Sequence, residues 1–130
     1  MDCGFDVAST VEMEMVKSIN VSPKKIIYAN PVKDIDHILS AKKHGINLMT
    51  FDTSEELFKI KKYYPDAEVV LRIAVMKTTA LWNLSLKFGA TYDEIPGIFQ
   101  SANKLNLKIR GLAFHTGSGG VTYDSYKETL

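Results

Sequence analysis

The stretch "INLMTFDTSEELFKIKKYYPDAEVVLRIAV", residues 46–75, decides the fold. Its first part, "INLMTFD", reads as a strand that turns polar at Asp52. Thr53 or Ser54 then opens a helix, "TSEELFKIKKYY". The helix ends before Pro65, which lacks an amide donor and disfavours helical geometry in the residue before it. "AEVVLRIAV" follows as a near-continuous apolar run, the composition of a strand covered on both faces. Strand, helix and strand in this order predict two parallel strands joined by a right-handed crossover.

The same unit repeats on both sides. "CGFDVAS" is a short strand, and "STVEMEMVKSI" a helix in which Ser9 and Glu12 have capping-box spacing. Val11, Met15 and Ile19 recur there at helical spacing, and Met13 and Met15 are read as packing residues. "KKIIYANP" is a strand stopped by Asn30 and Pro31, and "DIDHILSAKKHG" a helix stopped by Gly45. Downstream, "TYDEIPGIFQSANKLN" is a helix weakened by Pro96 and Gly97. "LKIRGLAFHTGSG" is a fifth strand, and "TYDSYKETL" begins another helix. Five such units predict helices packed on a parallel sheet. The stretch at 75–90, "VMKTTALWNLSLKFGA", is long for a connection and carries Lys87.

Composition narrows the function. The 130 residues are 45% hydrophobic and 24% charged, with a formal net charge of +1, which suits one modest globular domain. Near-neutral charge gives no support for nucleic acid or an acidic membrane as partner. The single Cys3 excludes an intrachain disulfide and a multi-cysteine zinc site. No run of about 18 apolar residues offers a membrane span, and "MDCGFDVAST" lacks the pattern of a signal peptide. A cytoplasmic location is expected. His37 and His44 share a helix, with no carboxylate or cysteine pattern beside them that would hold a metal.

The polar residues fall at informative places. Asp6 follows the first apolar run, Asn30 the second and Asp52 the third. Arg72 lies near the end of the fourth, and His115 and Ser118 follow the fifth. In barrels and in open α/β sheets, ligands bind at this C-terminal edge. The loop "HTGSGG" frees backbone amides for an anion and adds a hydroxyl. It is equally readable as a flexible turn, and His115 as a structural histidine. Arg72 needs a partner in an apolar strand, with Asp6 or Glu12 as candidates. Asp6 also reads as a helix-entry residue, and "VEMEM" and "KIKKYY" as solvated helix faces.

Six blocks carry a resemblance: "GFDVASTVEMEMV", "IIYANPVKDIDHI", "LMTFDTSEEL", "VVLRIA", "LSLKFGA" and "LAFHTGSG", in that order. Together they resemble ornithine decarboxylase and its relatives, the decarboxylases that use pyridoxal 5'-phosphate on an alanine-racemase-like barrel. The resemblance implies a TIM-type parallel (β/α) barrel, with residues 1–130 forming about half of it. It implies release of carbon dioxide from L-ornithine to give putrescine, a polyamine precursor. His115 is similar to the histidine that stacks on the pyridine ring, and Ser118 to the phosphate-loop serine. Arg72 and Asp6 match polar residues near the cofactor, Asp6 and His115 being the catalytic pair. Glu12 matches a supporting carboxylate, and Lys87 the lysine of the "KFG" block, with an ion-pairing role.

The departures from the family pattern also matter. The family's cofactor-linking lysine precedes the block that starts at Gly4, and residues 1–3 hold no match for it. The glycine-rich loop, the pyridine-nitrogen glutamate and the β-domain that follow in the family are also unmatched. The chain therefore resembles a segment of a homodimeric enzyme, one inactive by itself. Two other readings stand beside it. One is an inactive, antizyme-inhibitor-like relative that binds antizyme through residues 33–59. The other is a decarboxylase acting on diaminopimelate, arginine or lysine.

Overall fold

The apolar runs form short strands. A computed structural model of the chain describes residues 3–75, 87–117 and 127. The strands are β1 (Phe5–Val7), β2 (Ile26–Tyr28), β3 (Leu48–Phe51), β4 (Glu68–Arg72) and β5 (Lys108–Ala113). Between them run α1 (Thr10–Ser18), α2 (Ile35–His44), α3 (Ser54–Tyr63) and α4 (Ile95–Lys104). All neighbouring strands are parallel, and their order in the sheet is their order in the chain. Among the described residues no strand crosses back, as one would in a doubly wound sheet. Consecutive helices touch, α1 with α2, α2 with α3 and α3 with α4, so they lie on one face. The fold is an open arc of a (β/α) barrel, as expected from the sequence. Of the helix expected from "TYDSYKETL", only Lys127 is described, and it is helical.

Strand alternation divides the two faces. Val7, Tyr28, Met49 and Val69 pair in register across four strands and are buried against the helices. Met13, Ile38, Ala41, Leu57, Ile60, Ile98 and Ala102 cover them. Each such large apolar side chain contributes about 1.5–3 kcal/mol when fully buried. The adjacent row, Asp6, Ile27, Leu48 and Glu68, turns to the opposite face. Asp6 is exposed there, and the other three are half-buried.

The helix ends follow local chemistry. Ser9 Oγ accepts the Glu12 N–H at 3.2 Å, and the Glu12 carboxylate accepts the Ala8 N–H at 2.5 Å. Thr53 Oγ1 accepts the Glu56 N–H at 3.2 Å. Gly45 closes α2 at φ +72°, where it donates to Lys42 O while Ile46 donates to Ala41 O. Pro96 does not weaken α4. It sits in the first turn, where its missing N–H would have had no intrahelical partner. The stripe in α1 also differs from expectation. Met13 is the buried residue, whereas Val11, Met15 and Ile19 are each more than 60% exposed. Among the described residues no helix is long and apolar enough to cross a membrane.

Candidate active site

The C-terminal edge of β3, β4 and β5 holds the built polar cluster. Phe51 pairs with Leu71, so the next residues, Asp52 and Arg72, emerge level on adjacent strands. Asp52 is buried, and its Oδ2 accepts the Gly89 N–H at 2.9 Å. Its Oδ1 is buried and has no hydrogen-bond partner among the described residues. Residues 87–90 return to the sheet: Ala90 donates to Arg72 O and accepts from Ala74 N, each at 2.9 Å. Gly89 has φ +106°, and a Cβ there would lie 2.6 Å from Ala74 N. Only glycine fits so close to the β4 backbone. The turn sets Phe88 beneath the Arg72 guanidinium, 5.2 Å from ring centroid to charge centre. Burial lowers the Arg72 pKa from its ordinary value, while the nearby Asp52 charge opposes that shift.

β5 supplies the histidine. Arg72 pairs in register with Ala113, which places His115 just past the next strand end. His115 is exposed, and its Nδ1 accepts the Gly117 N–H at 2.9 Å. In the neutral ring the proton is therefore on Nε2. Gly117 takes φ +96°, a value that suits glycine. Ser118 lies outside the described residues.

Of the remaining predicted residues, Lys87 begins the 87–90 turn, and the others do not join this cluster. Asp6 lies on β1, three strands from β4. The carboxylate brought level with Arg72 is Asp52, rather than the candidates Asp6 or Glu12. The reason is register, because Asp52 stands level with Arg72 on the adjacent strand. Glu12 caps the entry to α1. Lys87 is exposed at the start of the turn that leads to Gly89. Asn30 forms a local turn, its Oδ1 accepting from Val32 N at 3.3 Å. His37 Nδ1 pairs with Tyr28 Oη at 2.7 Å, which gives that histidine a packing role. Burial, with Asp34 second, pushes the Tyr28 hydroxyl up to about 12.

A buried ion pair escaped the sequence reading. Lys33 is 1% exposed, and its Nζ lies 3.0 Å from Glu56 Oε1. The same ammonium donates to Thr50 O at 2.6 Å, Asn30 O at 3.1 Å and Pro31 O at 3.2 Å. Glu56 Oε1 also accepts from Lys33 N, and its Oε2 pairs with Lys59 at 2.7 Å. Burial lowers the Lys33 pKa, against the pull of Glu56. The pair binds the segment after β2 to β3 and α3. The available signal was the spacing of Thr53 and Glu56, which reads as a helix cap and conceals the second role.

Chemically, the edge presents a cation backed by an aromatic ring, an exposed imidazole and a glycine turn. That donor set suits an anionic, flat ligand. Residues 2–130 match the family described as pyridoxal-dependent decarboxylase, pyridoxal binding domain. The chain is 45% identical to ornithine decarboxylase of Schizosaccharomyces pombe over 98% of its own length and 29% of that protein's. It is 39% identical to antizyme inhibitor 2 of Xenopus laevis over its full length and 28% of that protein's. The arginine decarboxylase of Paramecium bursaria Chlorella virus superposes with a TM-score of 0.94 at 40% identity, covering 97% of this chain and 35% of the other. The chain thus spans about a third or less of each of these proteins.

Proposed function

Since the chain belongs to the pyridoxal-dependent decarboxylases, as part of their pyridoxal-binding domain, we propose that residues 1–130 are a segment of an enzyme that decarboxylates L-ornithine to putrescine. The observation that supports this reading best is the pairing of Arg72 with Ala113, which sets a guanidinium and an imidazole on adjoining strand ends. Pyridoxal phosphate is the cofactor of this domain, and when bound it supplies the electron sink for loss of carbon dioxide. In this proposal His115 offers its ring face to the pyridine and Ser118 donates to the phosphate. Arg72 lends positive charge near the cofactor, and Asp6 a carboxylate from β1. Glu12 holds the chain that follows β1, and Lys87 forms an ion pair beside the site. The enzyme acts as a cytoplasmic homodimer.

A second reading draws on the 39% identity to antizyme inhibitor 2: an inactive protein that binds antizyme through residues 33–59. Retention of Arg72 and His115 favours the enzyme.

The test is a chimera in which residues 2–130 replace the matching segment of the S. pombe ornithine decarboxylase. We expect putrescine from L-ornithine in preference to products from L-arginine or L-lysine. The 130-residue chain with added cofactor should give none. A folded chimera that binds antizyme but releases no product would support the second reading. Turnover by the 130-residue chain would refute the assignment as a segment.

A further inference from the structure

We propose that Asp52 is a positioning residue, whose buried carboxylate sets both Arg72 and the 87–90 turn at the ligand edge. The inference rests on the functional reading above. Burying a carboxylate costs several kcal/mol unless it is partnered, yet Asp52 is 6% exposed and, among the described residues, only its Oδ2 has a hydrogen bond, from Gly89. If holding Gly89 were its whole task, a neutral amide would serve. The bare Oδ1 calls for a second role.

Register points to that role. Asp52 and Arg72 follow the paired residues Phe51 and Leu71, so they leave adjacent strands side by side. The guanidinium also lies over the ring of Phe88, the residue before the glycine that Asp52 holds. One carboxylate therefore governs Arg72 twice, by charge and through the aromatic ring it anchors. Gly89 allows no slack, since its α-carbon lies too close to Ile73 and Ala74 for any side chain. An arginine carries about 2 kcal/mol of rotamer entropy. Fixing it before the ligand arrives removes part of that cost from binding.

The experiment uses the chimera with D52N, D52A, R72A and D52N/R72A. Pyridoxal phosphate affinity is read by fluorescence titration, and the Gly89 amide by hydrogen exchange. D52N retains an acceptor for Gly89, so its amide protection should persist. The cofactor dissociation constant should nevertheless rise roughly tenfold, which is what 1.4 kcal/mol produces. D52A should lose both properties. D52N/R72A should bind no more weakly than R72A, because both substitutions act through one guanidinium. D52N affinity within about twofold of the parent, the margin of independent sites, would overturn the inference, as would effects that multiply in the double variant. A parent chimera that takes up no cofactor would refute the functional reading instead. The exchange arm then decides on Asp52, and unchanged Gly89 protection in D52A would overturn it.

Discussion

Substituting Glu56→Gln isolates the charge of the buried pair. Gln keeps the volume and one oxygen to accept from Lys33 N, but it cannot neutralise an ammonium that is 1% exposed. Removing one partner of a buried pair costs about 3–5 kcal/mol. Three carbonyls still receive Lys33 Nζ, so the low end applies, about 3 kcal/mol. The lost contact to the partly exposed Lys59 adds at most about 0.5 kcal/mol. The assay is amide exchange of Lys33 in the chimera, since that N–H is bonded to Glu56 itself. Protection should fall by roughly two powers of ten at pH 7. The pH dependence has a definite sign. Burial already lowers the Lys33 pKa in the folded state, and losing Glu56 lowers it further. The folded state then holds fewer protons than the unfolded one below the ordinary lysine value of 10.5. Stability therefore rises with pH through that window, and the deficit of E56Q should shrink from pH 7 towards 10. A loss under about 0.5 kcal/mol, or a deficit that widens with pH, would refute this account.

Three further outcomes follow, two from the edge of the sheet and one from the proposed role of Ser118. Gly89→Ala forces a side chain into φ +106° and against the Ile73–Ala74 backbone. It should cost about 3 kcal/mol or more, lowering the urea midpoint of the chimera by roughly 1 M, and an unchanged midpoint would rule out the close approach. His115→Ala should weaken cofactor binding no more than about tenfold, because ring stacking contributes about 0.5–1.5 kcal/mol. In the proposed phosphate role of Ser118, Ser118→Ala should weaken it more, because a charge-assisted hydrogen bond is worth about 1.5–3 kcal/mol. If titration finds His115→Ala unchanged in both affinity and saturated rate, the histidine is structural.

Local chemistry was legible in the sequence, and long-range partnership was not. The strand–helix alternation, the caps at Ser9 and Thr53 and the stop at Gly45 each depend on residues a few positions apart, and each is present. Pro96 was misjudged because its effect depends on position within the helix, and a shift of one turn changes a breaker into a starter. Spacing put Val11, Met15 and Ile19 on one face of α1 but could not say what covers it, and the core instead takes Met13. Arg72 was recognised as needing a counterion. Naming Asp52 required the register of β3 on β4, which no local pattern encodes. The burial of Lys33 and Glu56 escapes local pattern because it comes from the convergence of the segment after β2 with β3 and α3.

The identity of strand order and chain order bears on how the protein is made. Each strand pairs with the one synthesised just before it. A nascent chain leaving the ribosome therefore finds the next docking edge already laid down, and the sheet can extend one unit at a time. The early ladders follow one another closely, as Phe5 meets Ile26 and Leu48 meets Glu68. The last step is different, because Glu68 must wait about twice as long for Lys108. Loop closure grows costlier with the length of chain between partners. Of the edges that later pair within the described sheet, that of β4, with Arg72 at its tip, thus stays open longest during synthesis, and premature pairing between nascent chains is favoured there.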